Sequence, residues 1–194
     1  MDKMKYRKYK VVREFNPAFD LNQIGSIAFN RAKAGERYQR LNIITAQLMC
    51  ALTMEAVLNI LGKRLFPDWE NIERRLSHKE KLQKVAKYLK IDLRSDPFQL
   101  FQKIFKFRDD LVHAKPSIHF TDVFHESATD ENDFPVIENI PELLTDWEKL
   151  CNLETVEKWR KAVEKMSSVL SEAAKCQDPV KIGGAVDIWG EIEA

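Results

Sequence analysis

The segment Pro97–Pro116 reads P-F-Q-L-F-Q-K-I-F-K-F-R-D-D-L-V-H-A-K-P. At about 100° per residue round a helix, Phe101, Ile104, Phe105, Leu111 and Val112 share one arc, and Arg108 falls near its middle. A guanidinium cannot shed its charge, and burying one unpaired costs several kcal/mol. It needs a carboxylate, a phosphate or water in a cleft, and the plainer alternative is that it snorkels to solvent. His113 follows five residues on, about 140° away in a regular helix. Imidazole titrates near neutral pH and can move a proton. Pro116 ends the helix nearby, so a loosened last turn could swing His113 towards Arg108. Two copies packed about a two-fold axis could also bring the groups into one cleft.

Glu55 is the second anomaly. It lies in the most apolar stretch of the chain, one turn before Asn59. A buried Glu wants a cation, as a buried Arg wants a carboxylate. Glu55 and Arg108 are therefore expected within roughly 10 Å of each other. The alternative is that Glu55 reaches solvent at a groove.

Other residues offer less chemistry. Cys50, Cys151 and Cys176 form no C-x-x-C pair, which argues against a disulfide framework or a zinc site and fits a reducing compartment. Cys50 reads as core, and His78 as a helix-start residue. His119 and His125, near Asp122 and Glu126, match no known ligand spacing. No P-loop, G-x-G-x-x-G or G-x-S-x-G occurs. Neither a metal nor a cofactor is expected.

The elements that must position these groups are helical. With 44% hydrophobic and 31% charged residues in 194, the composition is globular, and the length can bury a core without metal or disulfide staples. The strongest helix spans about Glu36 to Phe66. It is apolar nearly all round, so neighbours are expected on several sides, and Pro67 stops it. Glu55 within that stretch argues against a membrane span, and the charged N-terminus lacks the apolar run of a secretory signal. A cytoplasmic protein is expected.

Another helix is expected from about Asp20 or Asn22 through Arg31, with Gly35 either breaking it or absorbed into a longer helix. Short helices follow at about Asp68–Leu76 and His78–Lys90, the second opened by Ser77 with Glu80 at the capping-box position. Leu82, Val85, Ala86 and Leu89 form its buried stripe, and Lys81, Lys84, Lys87 and Lys90 lie beside or opposite it, as a basic face that could follow a nucleic-acid backbone or as an ordinary wet helix face. Asp96 and Pro97 open the motif helix. Late helices are expected at about Pro141–Cys151 and Glu154–Cys176, with Leu143, Leu144, Trp147 and Leu150 of the first and Val156, Trp159, Val163, Met166 and Leu170 of the second facing inward, and Glu126–Phe134 reads as an exposed loop. No strand pattern stands out. Residues 1–19 read as a basic, irregular arm, 20–178 as one helical domain and 179–194 as a loosely held acidic tail. The fold class is all-α.

Arg108–His113, R-D-D-L-V-H, resembles the R-x(4–6)-H motif of the HEPN superfamily (higher eukaryotes and prokaryotes nucleotide-binding domains), and Asp109 is the polar residue that family favours after the Arg. The setting is similar too: a long early apolar helix, shorter helices, then the motif at the end of a Phe-rich helix, over about Glu36–Pro116. The resemblance implies a HEPN-like helical bundle with a long central apolar helix, forming a homodimer whose two motifs line one cleft. Many members are metal-independent ribonucleases, often toxins or antiviral effectors, and others bind nucleotide, RNA or protein without catalysis.

Carried over, Arg108 and His113 are the active pair. His113 would withdraw the RNA 2′-hydroxyl proton or protonate the leaving oxygen, and Arg108 would hold the phosphate. Cleavage would leave a cyclic phosphate. Asp109 would orient either partner, and Lys115 would touch a neighbouring phosphate, the alternative for both being plain solvent exposure or capping. Glu55 and Asn59 would support the site. One toxin branch carries a Tyr where this chain has Lys115, so that branch is not expected.

Overall fold

A computed structural model describes residues 9–13, 15–113, 144–183 and 186–191. Among them are six α-helices: α1 (Pro17–Lys33), α2 (Gln39–Leu65), α3 (Trp69–Ile72), α4 (His78–Leu89), α5 (Phe101–Val112) and α6 (Leu153–Ala173). The fold is all-α, with one addition. Two strands, β1 (Tyr9–Arg13) and β2 (Val186–Glu191), pair antiparallel, with Val11 opposite Ile188 and Arg13 opposite Val186. This corrects the expected irregular arm and loosely held tail over those residues. Strand pairing between segments so far apart leaves no local periodicity to read. Both segments are nevertheless rich in β-branched and aromatic residues.

The central element is α2. It packs against α1, α3, α4, α5 and α6, which is why its apolar residues occupy nearly every face. Met54, Val57, Leu58 and Leu61 are fully buried. By length and composition α2 could cross a membrane, with a mean hydropathy of 1.6 over its most apolar window, half of which is buried in the fold. α1 approaches it through a seam of small buried residues, Ala18, Gly25, Ala28 and Ala32. A Cβ on Gly25 would stand 3.0 Å from the Met49 Cβ. α1 begins earlier than expected because Asn16 caps it, accepting from the Ala18 and Phe19 amides. The Asn16 amide also donates to Pro179 O at 2.8 Å and so ties the helix start to the chain beyond α6.

The core runs from α2 through Leu82 and Val85 of α4, Phe101, Ile104 and Phe107 of α5, and Trp159, Val163, Met166 and Leu170 of α6. The expected inward face of α6 is thus the observed one.

Two further boundaries differ from expectation. The motif helix begins at Phe101, after a 3-10 turn over Phe98–Leu100. Asp96 does not cap it, and its carboxylate turns instead to Lys165 Nζ at 3.3 Å. The described part of the expected 141–151 helix is a turn followed by a 3-10 turn, Glu148–Leu150. There Thr145 caps the turn: its Oγ accepts from the Glu148 amide at 3.3 Å, and the Glu148 carboxylate accepts from the Thr145 amide at 2.9 Å, so helical geometry starts only after Thr145. The Glu126–Phe134 loop, His119 and His125 lie outside the described residues.

Candidate functional site

The middle of α2 holds Glu55, about a quarter exposed. Two features of the surrounding chain aim partners at it. The first is the start of α4. Ser77 Oγ accepts from the Glu80 amide, and the Glu80 carboxylate accepts from the Ser77 amide at 2.7 Å. This reciprocal cap makes His78 the first helical residue and turns it, with Lys81 one turn later, towards α2. The second is the C-terminal half of α5. Phe101, Ile104 and Phe105 are buried, and Arg108 continues the same arc. Val112, also on that arc, is exposed. Arg108 thus stands where the buried stripe opens to solvent, with its side chain 24% exposed.

Glu55 meets three nitrogens. Its Oε2 lies 3.6 Å from Arg108 Nη2. Its Oε1 lies 3.7 Å from His78 Nδ1 and 3.8 Å from Lys81 Nζ. Arg108 Nη1 donates to Asp109 Oδ1 at 2.7 Å, and Lys81 Nζ donates to Asn59 Oδ1 at 2.9 Å. The expected proximity of Glu55 and Arg108 is present. At 3.6 Å and an effective dielectric of about 20, their attraction is on the order of 5 kcal/mol. Desolvation of a part-buried pair is of comparable size. The pair therefore fixes where the guanidinium points more than it adds net stability. A guanidinium has five N–H donors, so the fork extends beyond the two nitrogens engaged here.

Glu55 also faces a groove of about 500 Å³ between α1, α2 and α3, lined by Pro17, Leu21, Leu52, Asn59 and Trp69 among others. The two readings of this residue, cation partner or groove residue, therefore both hold. On the other side of the cluster, Ser77, His78, Phe105 and Asp109 help to line a smaller cleft of about 280 Å³. The His78 ring stacks on Phe105 with centroids 4.3 Å apart.

Burial chiefly holds the His78 pKa below the ordinary histidine value. Arg108 and Lys81 push it the same way, while Glu55 and Asp109 oppose them. Burial also raises the Cys50 thiol to about 12, which fits its place in the core.

Of the residues singled out in the sequence, Arg108, Asp109, Glu55 and Asn59 come together. His113 does not join them within one chain. It caps α5 through its own amide, which donates to Asp109 O at 2.9 Å, and its side chain is exposed. Among the described residues no hydrogen bond or ion pair links it to Arg108. Lys115 lies outside the described residues.

Two members of the cluster were not anticipated. The sequence marks His78 as a helix-start residue, which it is, and sets Lys81 on a basic face. Lys81 is only 6% exposed, which corrects that assignment. Lys84 is also drawn in, with its ammonium over the Phe66 ring. The signal for Lys81 was its place four residues before Val85, about 40° from it round the helix. That position flanks the buried stripe, where a cation needs a partner.

No protein-family model, curated protein or solved structure matches the chain. Among the described residues no three His, Cys, Asp or Glu side chains group as metal ligands.

Proposed function

We propose that the chain is a HEPN-like, metal-independent endoribonuclease, acting as a cytoplasmic homodimer in which Arg108 and His113 from both copies line a shared cleft. The observation that carries this reading is the placement of Arg108. It sits at the solvent end of a buried stripe, oriented by Glu55 and Asp109, with an exposed imidazole at the end of the same helix. A guanidinium so held can take a phosphate oxygen without first losing freedom of its own. RNA brings its own nucleophile, the 2′-hydroxyl, so the protein need supply only charge stabilisation and proton transfer. His113 provides a proton-transfer group from either copy, and Asn59 acts indirectly by holding Lys81 against Glu55.

The test is incubation of the purified protein with RNA in EDTA, comparing wild type with Arg108→Ala and His113→Ala. Cleavage by the wild type that leaves a cyclic phosphate and is lost in both variants is the expected result. Equal cleavage by all three, or none by any, removes the enzyme reading.

A second reading, a non-catalytic module that binds nucleotide, RNA or a protein, is favoured by a specific observation. Within one chain His113 stands apart from the Arg108 cluster, and Arg108 is already held by two carboxylates. Retention of a nucleotide or RNA oligomer without turnover is its expected signature.

A further inference from the structure

We infer that His78 of α4 is an acid–base group of this site, taking the proton of the RNA 2′-hydroxyl from within the same chain that supplies Arg108. The inference rests on the RNA-cleavage reading above and deepens it.

Three observations carry it. First, His78 shares a carboxylate with Arg108. Its Nδ1 lies 3.7 Å from Glu55 Oε1, while Arg108 Nη2 lies 3.6 Å from Oε2 of the same group. The guanidinium that would receive the phosphate and this imidazole therefore stand against one carboxylate, and Asp109, the other partner of Arg108, lines the same cleft as His78. Second, His78 is held in place rather than left to roam. The Ser77 and Glu80 cap fixes its backbone, and the Phe105 ring, at 4.3 Å, fixes its plane. Third, among the described residues nothing in the packing calls for a histidine here. Among them Nδ1 is buried without a hydrogen-bond partner, since 3.7 Å from Glu55 is too long for one. A phenylalanine would stack on Phe105 as well and strand no polar atom. With Nδ1 turned to Glu55, Nε2 is left for the cleft that His78 lines with Phe105 and Asp109.

The step balances without a further reagent. Nε2 takes the 2′-hydroxyl proton as the 2′-oxygen bonds to phosphorus. The P–O5′ bond breaks, and the 5′-oxygen takes a proton from His113 or water. The products are a 2′,3′-cyclic phosphate and a 5′-hydroxyl. The charged groups facing His78 are Glu55 and Asp109, which favour its protonated form, and Arg108 and Lys81, which oppose it. Burial adds to the second pair, so the ring is neutral near pH 7 and ready to accept.

The experiment measures cleavage of a labelled RNA oligomer in EDTA, over about pH 5 to 8, by wild type, Arg108→Ala, His78→Gln and His78→Phe. Circular dichroism checks the fold, and His78→Phe decides if His78→Gln does not fold, because it keeps the stack on Phe105. Loss of on the order of 10²- to 10⁴-fold in rate, with loss of the acid limb of the pH profile, is expected for the His78 variants. Glu55→Gln should move that limb to lower pH and Lys81→Met to higher pH, shifts that a merely structural His78 would not produce. Arg108-dependent cleavage that stays within about threefold of wild type in the His78 variants overturns this inference and leaves the nuclease reading standing. No cleavage by the wild type overturns both.

Discussion

A carboxylate that faces an arginine, a lysine and a histidine together cannot hold all three equally, and the distances at Glu55 show the compromise. None of its three contacts is shorter than 3.6 Å, while the outer partners Asp109 and Asn59 sit at 2.7 and 2.9 Å. Burial lowers the His78 pKa below 6.5 against the pull of Glu55, with Arg108 and Lys81 pushing it the same way as burial. The unfolded chain then binds the proton more readily than the folded one. The stability contributed by His78 is complete above pH 6.5 and is lost as pH falls through the folded value. His78→Gln should therefore flatten the fall in Tm below that pH, and the wild-type-minus-variant difference in thermal melts is the measurement. A second prediction concerns Cys50. Buried, with its thiol raised to about 12, it should react with a thiol reagent only after unfolding. Modification of Cys50 in the folded protein at neutral pH would show that α2 is less enclosed than described.

At the scale of elements, two local devices position the cluster. The Ser77 cap sets where α4 begins, and so which residues face Glu55. Ser77→Ala should cost about 1 kcal/mol in urea unfolding. It should also blunt the effect of Glu55→Gln on the His78 titration, because the ring is no longer held. The other device is the close approach of α3 to α2. A Cβ on Gly62 would lie 2.1 Å from Trp69 Cε2, so the indole lies against the bare helix backbone. Gly62→Ala should destabilise by about 1–3 kcal/mol through overpacking, although alanine is the better helix former by about 1 kcal/mol. Unfolding with an unchanged urea midpoint would count against this packing. The α4 cap was legible because Ser77 and Glu80 lie three residues apart. The Gly62 contact was not, since a glycine within a helix does not announce which ring crosses it.

For the molecule as a whole, the nuclease reading depends on two copies. His113 is exposed and apart from Arg108 within one chain, so on that reading a shared cleft would have to bring the pair together. Light scattering should give twice the 22.6 kDa chain mass, and a monomer at working concentration would remove the two-copy cleft. The placement of His78 and Arg108 against one Glu55 carboxylate lies within one chain and is unchanged by that outcome. The ribbon of β1 and β2 belongs to this scale as well, because it joins chain segments on either side of the helical core.

The sequence by itself determined the helical class, the long apolar α2 and the inward face of α6, because apolar spacing along a helix is a local pattern. It also marked Glu55 and Arg108, because a charge among apolar residues must find an opposite one, and that requirement is written in composition alone. Tertiary structure decided which further groups complete the cluster. His78 and Lys81 reach Glu55 only because α4 folds back across α2, and His113 falls outside because α5 ends where its arc meets solvent. Electrostatic pairing and strand pairing act through space, between residues that no periodicity connects.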